Sequence, residues 1–113
     1  MTIEVKNLNN TSGYKPNQAT SWRQGWEKVK KLKEEHTICS CCGAKKGQFY
    51  FNENGECVTV EIMGEHVQKV NDGKEWYIVP LCKKCNSKKS TEVFSVKAND
   101  LVAVSEIQAL SKE

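Results

Sequence analysis

Two cysteine pairs at C-x-x-C spacing constrain this chain more than any other feature: Cys39 with Cys42, then Cys82 with Cys85. Each pair places two thiols on one tight turn, where they can share a metal ion, and two such turns complete a tetrahedral set. Gly43 follows the first pair, where a knuckle turn favours a positive φ and close N–H···S contacts. A redox C-x-x-C needs no second copy, and no thioredoxin-like βαβ pattern surrounds either pair. The doubled spacing therefore predicts a structural zinc held by Cys39, Cys42, Cys82 and Cys85. Two cysteines remain. Cys41 can compete with Cys42 for the metal, and Cys57, in a predicted strand, reads as a small core residue.

A metal also suits the composition. The chain has 113 residues, which fits one domain, but only 38% of them are hydrophobic and the mean hydropathy is -0.62. Small domains with so lean a core commonly add a disulfide or a structural metal. The start of the chain, Met1 to Asn10, alternates polar and apolar residues and lacks a signal-peptide pattern. No apolar run approaches the length of a membrane span. The expected compartment is the reducing cytoplasm, where paired cysteines read as zinc ligands rather than disulfides.

The sequence divides into an arm at 1–18 and a single zinc-stabilised domain at 19–113. In the arm, Thr2 to Val5 has the character of a short edge strand, and Asn9 to Gln18 reads as loop. Ser21 followed by Gln24 is a capping-box pattern. Trp22, Trp26, Val29 and Leu32 then recur at helical spacing and predict an N-terminal helix over 20–35, with Gly25 as its weak point. Its tryptophans read as a packing stripe, with base stacking as the lesser alternative. His36, ending this lysine-rich segment, reads as a surface or helix-capping residue. Strand character returns at 48–51 and 57–63 around an Asn52-Glu53-Asn54-Gly55 turn. Strands at 66–70 and 76–81 flank a second turn at Asn71-Asp72-Gly73. The second cysteine pair opens a short helix at 83–90. Strand character at 94–96 and 101–104 and a helical turn at 105–110 complete the chain. The class is α+β, and a knuckle, a hairpin and a second knuckle at a helix N-terminus describe a treble-clef zinc fold.

Net charge is +3, a mild basic bias that permits nucleic-acid binding without requiring it. The lysines are clustered: Lys28, Lys30, Lys31 and Lys33 before the first knuckle, Lys45 and Lys46 after it, and Lys83, Lys84, Lys88 and Lys89 around the second. Any one cluster reads as a solvated face. Three of them beside one metal site point toward an anionic partner, DNA or another nucleic acid.

The run Gly64-Glu65-His66-Val67, followed after a hairpin by Val79-Pro80-Leu81-Cys82-Lys83-Lys84-Cys85-Asn86, resembles the HNH (ββα-metal) endonucleases. The likeness covers about residues 39–90 and is nearest to the zinc-bearing branch typified by phage endonuclease VII. It implies a metal-dependent nuclease, with His66 as general base and Glu65 and Asn86 ligating Mg²⁺ or Mn²⁺. That chemistry is coherent. Phosphodiester hydrolysis needs an activated water and a cation at the phosphate. An imidazole near its ordinary pKa suits the base, and oxygen ligands suit a hard cation. Lys83, Lys84, Lys88 and Lys89 would hold phosphates. Structural readings stand beside each role: His66 as a core histidine and Asn86 as a residue favoured in a left-handed turn. The alternative function is a non-catalytic treble-clef module that binds nucleic acid or protein.

Overall fold

In the computed structural model, residues 1–8, 21–86 and 93–109 are described. The chain forms β1 (Thr2–Asn7), α1 (Trp22–Lys30), β2 (Phe49–Phe51), β3 (Cys57–Thr59), β4 (Ile62–Lys69), β5 (Asp72–Cys82), α2 (Lys83–Asn86), β6 (Phe94–Lys97), β7 (Val102–Ala103) and α3 (Val104–Gln108). Five strands make an antiparallel sheet in the order β6-β1-β4-β5-β7, and β2 and β3 form a separate two-stranded hairpin. The protein is thus a small, sheet-rich mixed α/β fold. Among the described residues, no helix is long and apolar enough to cross a membrane.

The two faces of the sheet carry separate cores. Strand side chains alternate between faces, so neighbours in sequence serve different layers. On one face Val5, Val67, Val79, Leu81, Phe94 and Val96 pack with Cys39, Cys82 and Cys85. On the other, Ile78 packs with Trp22 and Trp26 of α1, Val102 of β7 and Ile107 of α3. The tryptophan stripe is therefore a packing stripe: Trp22 and Trp26 are buried, and the Trp26 indole N–H donates to the Asp100 carbonyl at 2.6 Å.

α1 begins where its cap says it should. Ser21 has extended backbone, and its Oγ accepts from the Gln24 N–H at 3.1 Å. It stops five residues short of the expected boundary. Lys31 turns left-handed at φ 58°, the Leu32 N–H reaches back to the Glu27 carbonyl at 3.0 Å, and a single 3₁₀ turn follows at Glu34–His36. Two glycines let the helices close on the sheet. A Cβ on Gly64 would lie 2.4 Å from the Arg23 nitrogen, so the first turn of α1 rests on bare backbone of β4. Gly25, which propensity alone marks as a weak point, is where Ile107 of α3 presses in.

Three expectations change. Thr2–Asn7 is not an edge strand: it lies between β4 and β6, pairing Val5 with both Lys69 and Phe94. The rest of the expected arm, 9–18, lies outside the described residues. The strand expected over 57–63 is two strands in two sheets, because the chain passes from the hairpin into β4 through Val60 and Glu61. Cys57 is exposed on the hairpin, not buried in a core.

Candidate metal centre and its surroundings

The first knuckle is fixed from both sides. The Cys39 N–H donates to the Ala44 carbonyl at 2.8 Å, and the Gly43 N–H donates to the Cys39 carbonyl at 2.9 Å. Gly43 takes φ 80°, which only glycine adopts without strain. Ser40 docks the knuckle onto the sheet: its N–H donates to the Pro80 carbonyl, and its Oγ accepts from the Lys97 N–H at 3.0 Å. This seats Cys39 and Cys42 beside the end of β5, where Cys82 closes the strand and Cys85 lies on α2.

The four thiols converge. The Sγ atoms of Cys39, Cys42, Cys82 and Cys85 all lie within 4.8 Å of one another, and Cys42 and Cys82 are 3.7 Å apart. Sulfurs about 2.3 Å from one tetrahedral zinc would be separated by about 3.8 Å, so the cluster is close to the size that zinc needs. The four thiols also act on one another's protonation. Burial raises the Cys39 thiol, but backbone N–H groups led by that of Cys42 outweigh it and hold the thiol below its ordinary value. Burial, then the negative charge on Cys39, pushes Cys82 and Cys85 up. One thiolate thus suppresses ionisation of its neighbours unless a cation sits among them, and a metal that takes deprotonated sulfur supplies that charge. The donor set and spacing fit zinc. Cys41 is half-buried beside the same core, and the geometric group contains Cys42 instead.

Of the other expected site residues, Glu65 and His66 diverge. In β4, Glu65 pairs with Val79 and His66 with Ile78. Val79 belongs to the cysteine-side core and Ile78 to the helix-side core. The pleat therefore sends Glu65 toward the cysteine side and His66 toward α1. His66 is 5% exposed and sits edge-on between Trp22 and Trp76, with ring centroids 4.9 and 5.8 Å away. Its Nε2 is buried without a hydrogen-bond partner among the described residues, and burial holds its pKa below the ordinary histidine value. Asn86 lies on the opposite side. Its carbonyl accepts from the Asn7 side chain at 3.3 Å, tying the end of α2 to β1. Burial raises the Glu65 carboxyl. Among the described residues, the four cysteines are the only place where three or more His, Cys, Asp or Glu ligands converge.

Lys83 and Lys84 are exposed on α2 between Cys82 and Cys85, whereas Lys88 and Lys89 lie outside the described residues. Across from them stands the β2–β3 hairpin. The intervening groove is lined by Tyr50, Val60, Glu61, Cys82, Lys83 and Lys84. The sequence predicts this hairpin from its turn and flanking strands but assigns it no functional role. The available signal was Phe49-Tyr50-Phe51, whose outer two rings must share a face in any extended strand. No family model, curated protein or solved structure matches the chain, so the function has to be read from this geometry.

Proposed function

We propose that this protein is a zinc-stapled nucleic-acid-binding module of treble-clef type, in which the metal is structural and the adjoining lysine surface makes the contact. The order of parts supports the treble-clef reading: a knuckle, intervening hairpins, then two ligands at the junction of a strand with a helix. One observation carries the binding function. Lys83 and Lys84 occupy the two positions between Cys82 and Cys85, exposed along the wall of a groove. A zinc on the four thiols pins this turn, so the two ammonium groups hang from a fixed scaffold rather than from a loose loop. Lysines held this way neutralise phosphates and release counterions, which makes affinity fall with salt.

The test is anisotropy with labelled single- and double-stranded DNA and RNA across a salt series. Lys83→Ala/Lys84→Ala should weaken binding and flatten the slope of log K against log salt by about 1.4–1.8, for two lost phosphate contacts. A chelator that removes the metal should abolish binding. Absence of salt-sensitive binding to every nucleic acid would overturn the proposal.

The endonuclease reading requires Glu65, Asn86 and His66 around one cation. Against that reading, the strand register puts Glu65 and His66 on opposite faces, and His66 is buried between two indoles. Incubation with plasmid and branched DNA in Mg²⁺ or Mn²⁺, beside His66→Ala, decides the matter. Cation-dependent cleavage that the variant loses would restore the nuclease assignment.

A further inference from the structure

The hairpin beside the metal centre leaves two large aromatic rings in water. Phe49 and Phe51 are each 75% exposed, while Tyr50 between them turns inward against the cysteine-side core. Burying a phenylalanine side chain stabilises a fold, and this one forgoes that gain twice on one short strand. Paired exposed aromatics of this kind mark a contact surface. Nothing local requires them: the hairpin is already closed by its turn, where Asn52 Oδ1 accepts from the Asn54 and Glu56 N–H groups at 2.9 and 3.0 Å.

We propose that this hairpin and the groove beside it bind unpaired single-stranded nucleic acid, with Phe49 and Phe51 stacking on bases and Lys83 and Lys84 on the backbone. The inference rests on the nucleic-acid reading above and narrows it to one form of partner. Residues i and i+2 of a strand are about 6.6–6.8 Å apart, twice the roughly 3.4 Å thickness of a stacked base. The two rings therefore suit successive splayed bases, or one base held between them. A duplex hides its base faces inside the stack, and a single strand presents them.

Charge argues for nucleic acid over an apolar protein partner. Phe51, Lys83 and Lys84 line one stretch of the groove, so an aromatic face and two cations meet there. Lys45 and Lys46 are exposed in the loop that leads into β2. Glu53 stands at the hairpin tip and Glu61 at its base. These two carboxylates repel phosphate and confine a bound backbone to the lysine wall, with its bases toward the rings. The buried Trp22 and Trp26 take no part.

The experiment compares wild type with Phe49→Ala/Phe51→Ala on an unstructured oligonucleotide of about ten to twelve nucleotides, the corresponding duplex, and an abasic strand of equal charge. A single stacked base is worth roughly a five- to 150-fold change in affinity, so the double variant should lose at least about tenfold on the oligonucleotide. It should lose nothing on the abasic strand, and wild type should prefer the oligonucleotide to the duplex. Zinc content at one equivalent in both proteins controls for folding. Equal binding of oligonucleotide by wild type and variant, or equal lysine-dependent binding of duplex and single strand, would overturn this inference and leave the broader reading standing. No binding to any nucleic acid would overturn both. Self-association in sedimentation that disappears with the phenylalanines, without oligonucleotide binding, would assign the surface to a second copy of the chain and refute the proposal.

Discussion

Replacing Gly64 by alanine should loosen the protein on the side away from its four-cysteine cluster. The new methyl would lie 2.4 Å from the Arg23 nitrogen, 2.7 Å from the Trp22 carbonyl carbon and 2.8 Å from the Arg23 Cα. All three are backbone atoms, so no rotamer change relieves them. Ordinary contact needs about 3.5–4.0 Å, and α1 must therefore lift by on the order of 1 Å. Overpacking of this kind costs about 1–3 kcal/mol. Lifting Trp22 also weakens its edge contact with His66, worth about 0.5–1.5 kcal/mol. Against these, alanine in a strand gains about 0.5–1 kcal/mol over glycine through chain entropy. The balance is a loss of about 0.5–4 kcal/mol. Urea unfolding of the zinc-saturated, reduced protein measures it, with tryptophan fluorescence reporting because Trp22 and Trp76 flank the affected site. Zinc stoichiometry should not change, since the thiols lie on the other face. Gly25→Ala supplies the contrast. Its nearest obstacle is one methyl of Ile107 at 2.5 Å, and helix propensity returns about 0.8–1 kcal/mol, so it should cost less than Gly64→Ala. A Gly64→Ala protein as stable as wild type would refute the close-approach reasoning, because chain entropy alone would then govern the site.

Other consequences concern the metal and the histidine. Cys82→Ser should drop bound zinc from one equivalent per chain to well below that, and a chelator should unfold wild type. Metal analysis and circular dichroism check both, and a fold that survives chelation unchanged would deny the zinc its structural role. Among the described residues Gly43→Ala meets no atom within 4 Å, so its expected penalty is that of φ 80°. That penalty, about 1–2 kcal/mol, should appear as roughly five- to thirty-fold weaker zinc binding in a competition titration. His66 has a folded pKa below its unfolded value near 6.5, so the unfolded chain binds the extra proton. Stability is then complete above pH 6.5 and declines as pH falls from there toward the folded pKa, at no more than about 1.4 kcal/mol per unit. His66→Gln should remove that part of the slope in urea melts between pH 7 and 5.5. An unchanged slope would show that another group titrates there.

Much of the local structure was legible because it depends on neighbours in sequence. Ser21 caps α1, Gly43 closes the knuckle and Asn52 to Gly55 turns a hairpin, each by bonds spanning a few residues. Pairings between distant segments were not. Thr2–Asn7 looked like an edge because its second partner, Phe94–Lys97, lies at the far end of the chain. Cys57 looked like core because a hydrophobic strand does not reveal which sheet it will join, and its hairpin stands apart from the main one. The divergence of Glu65 and His66 was hidden for a related reason. Adjacent in sequence, Glu65 and His66 would appear partners, yet adjacent strand residues face opposite ways.

The four-cysteine cluster, a candidate metal centre, was legible before any fold was known. C-x-x-C spacing is a local geometric requirement, and two copies leave few other uses for four thiols in a chain with so lean a core. Only the tertiary structure decided what surrounds it. Packing α1 onto Gly64 buried His66 between Trp22 and Trp76, on the face away from the cysteines. Folding the β2–β3 hairpin back across from α2 set two exposed phenylalanines against two lysines. Those outcomes depend on which layers meet, which is settled by burying apolar surface across the whole domain and not by any residue's neighbours in sequence.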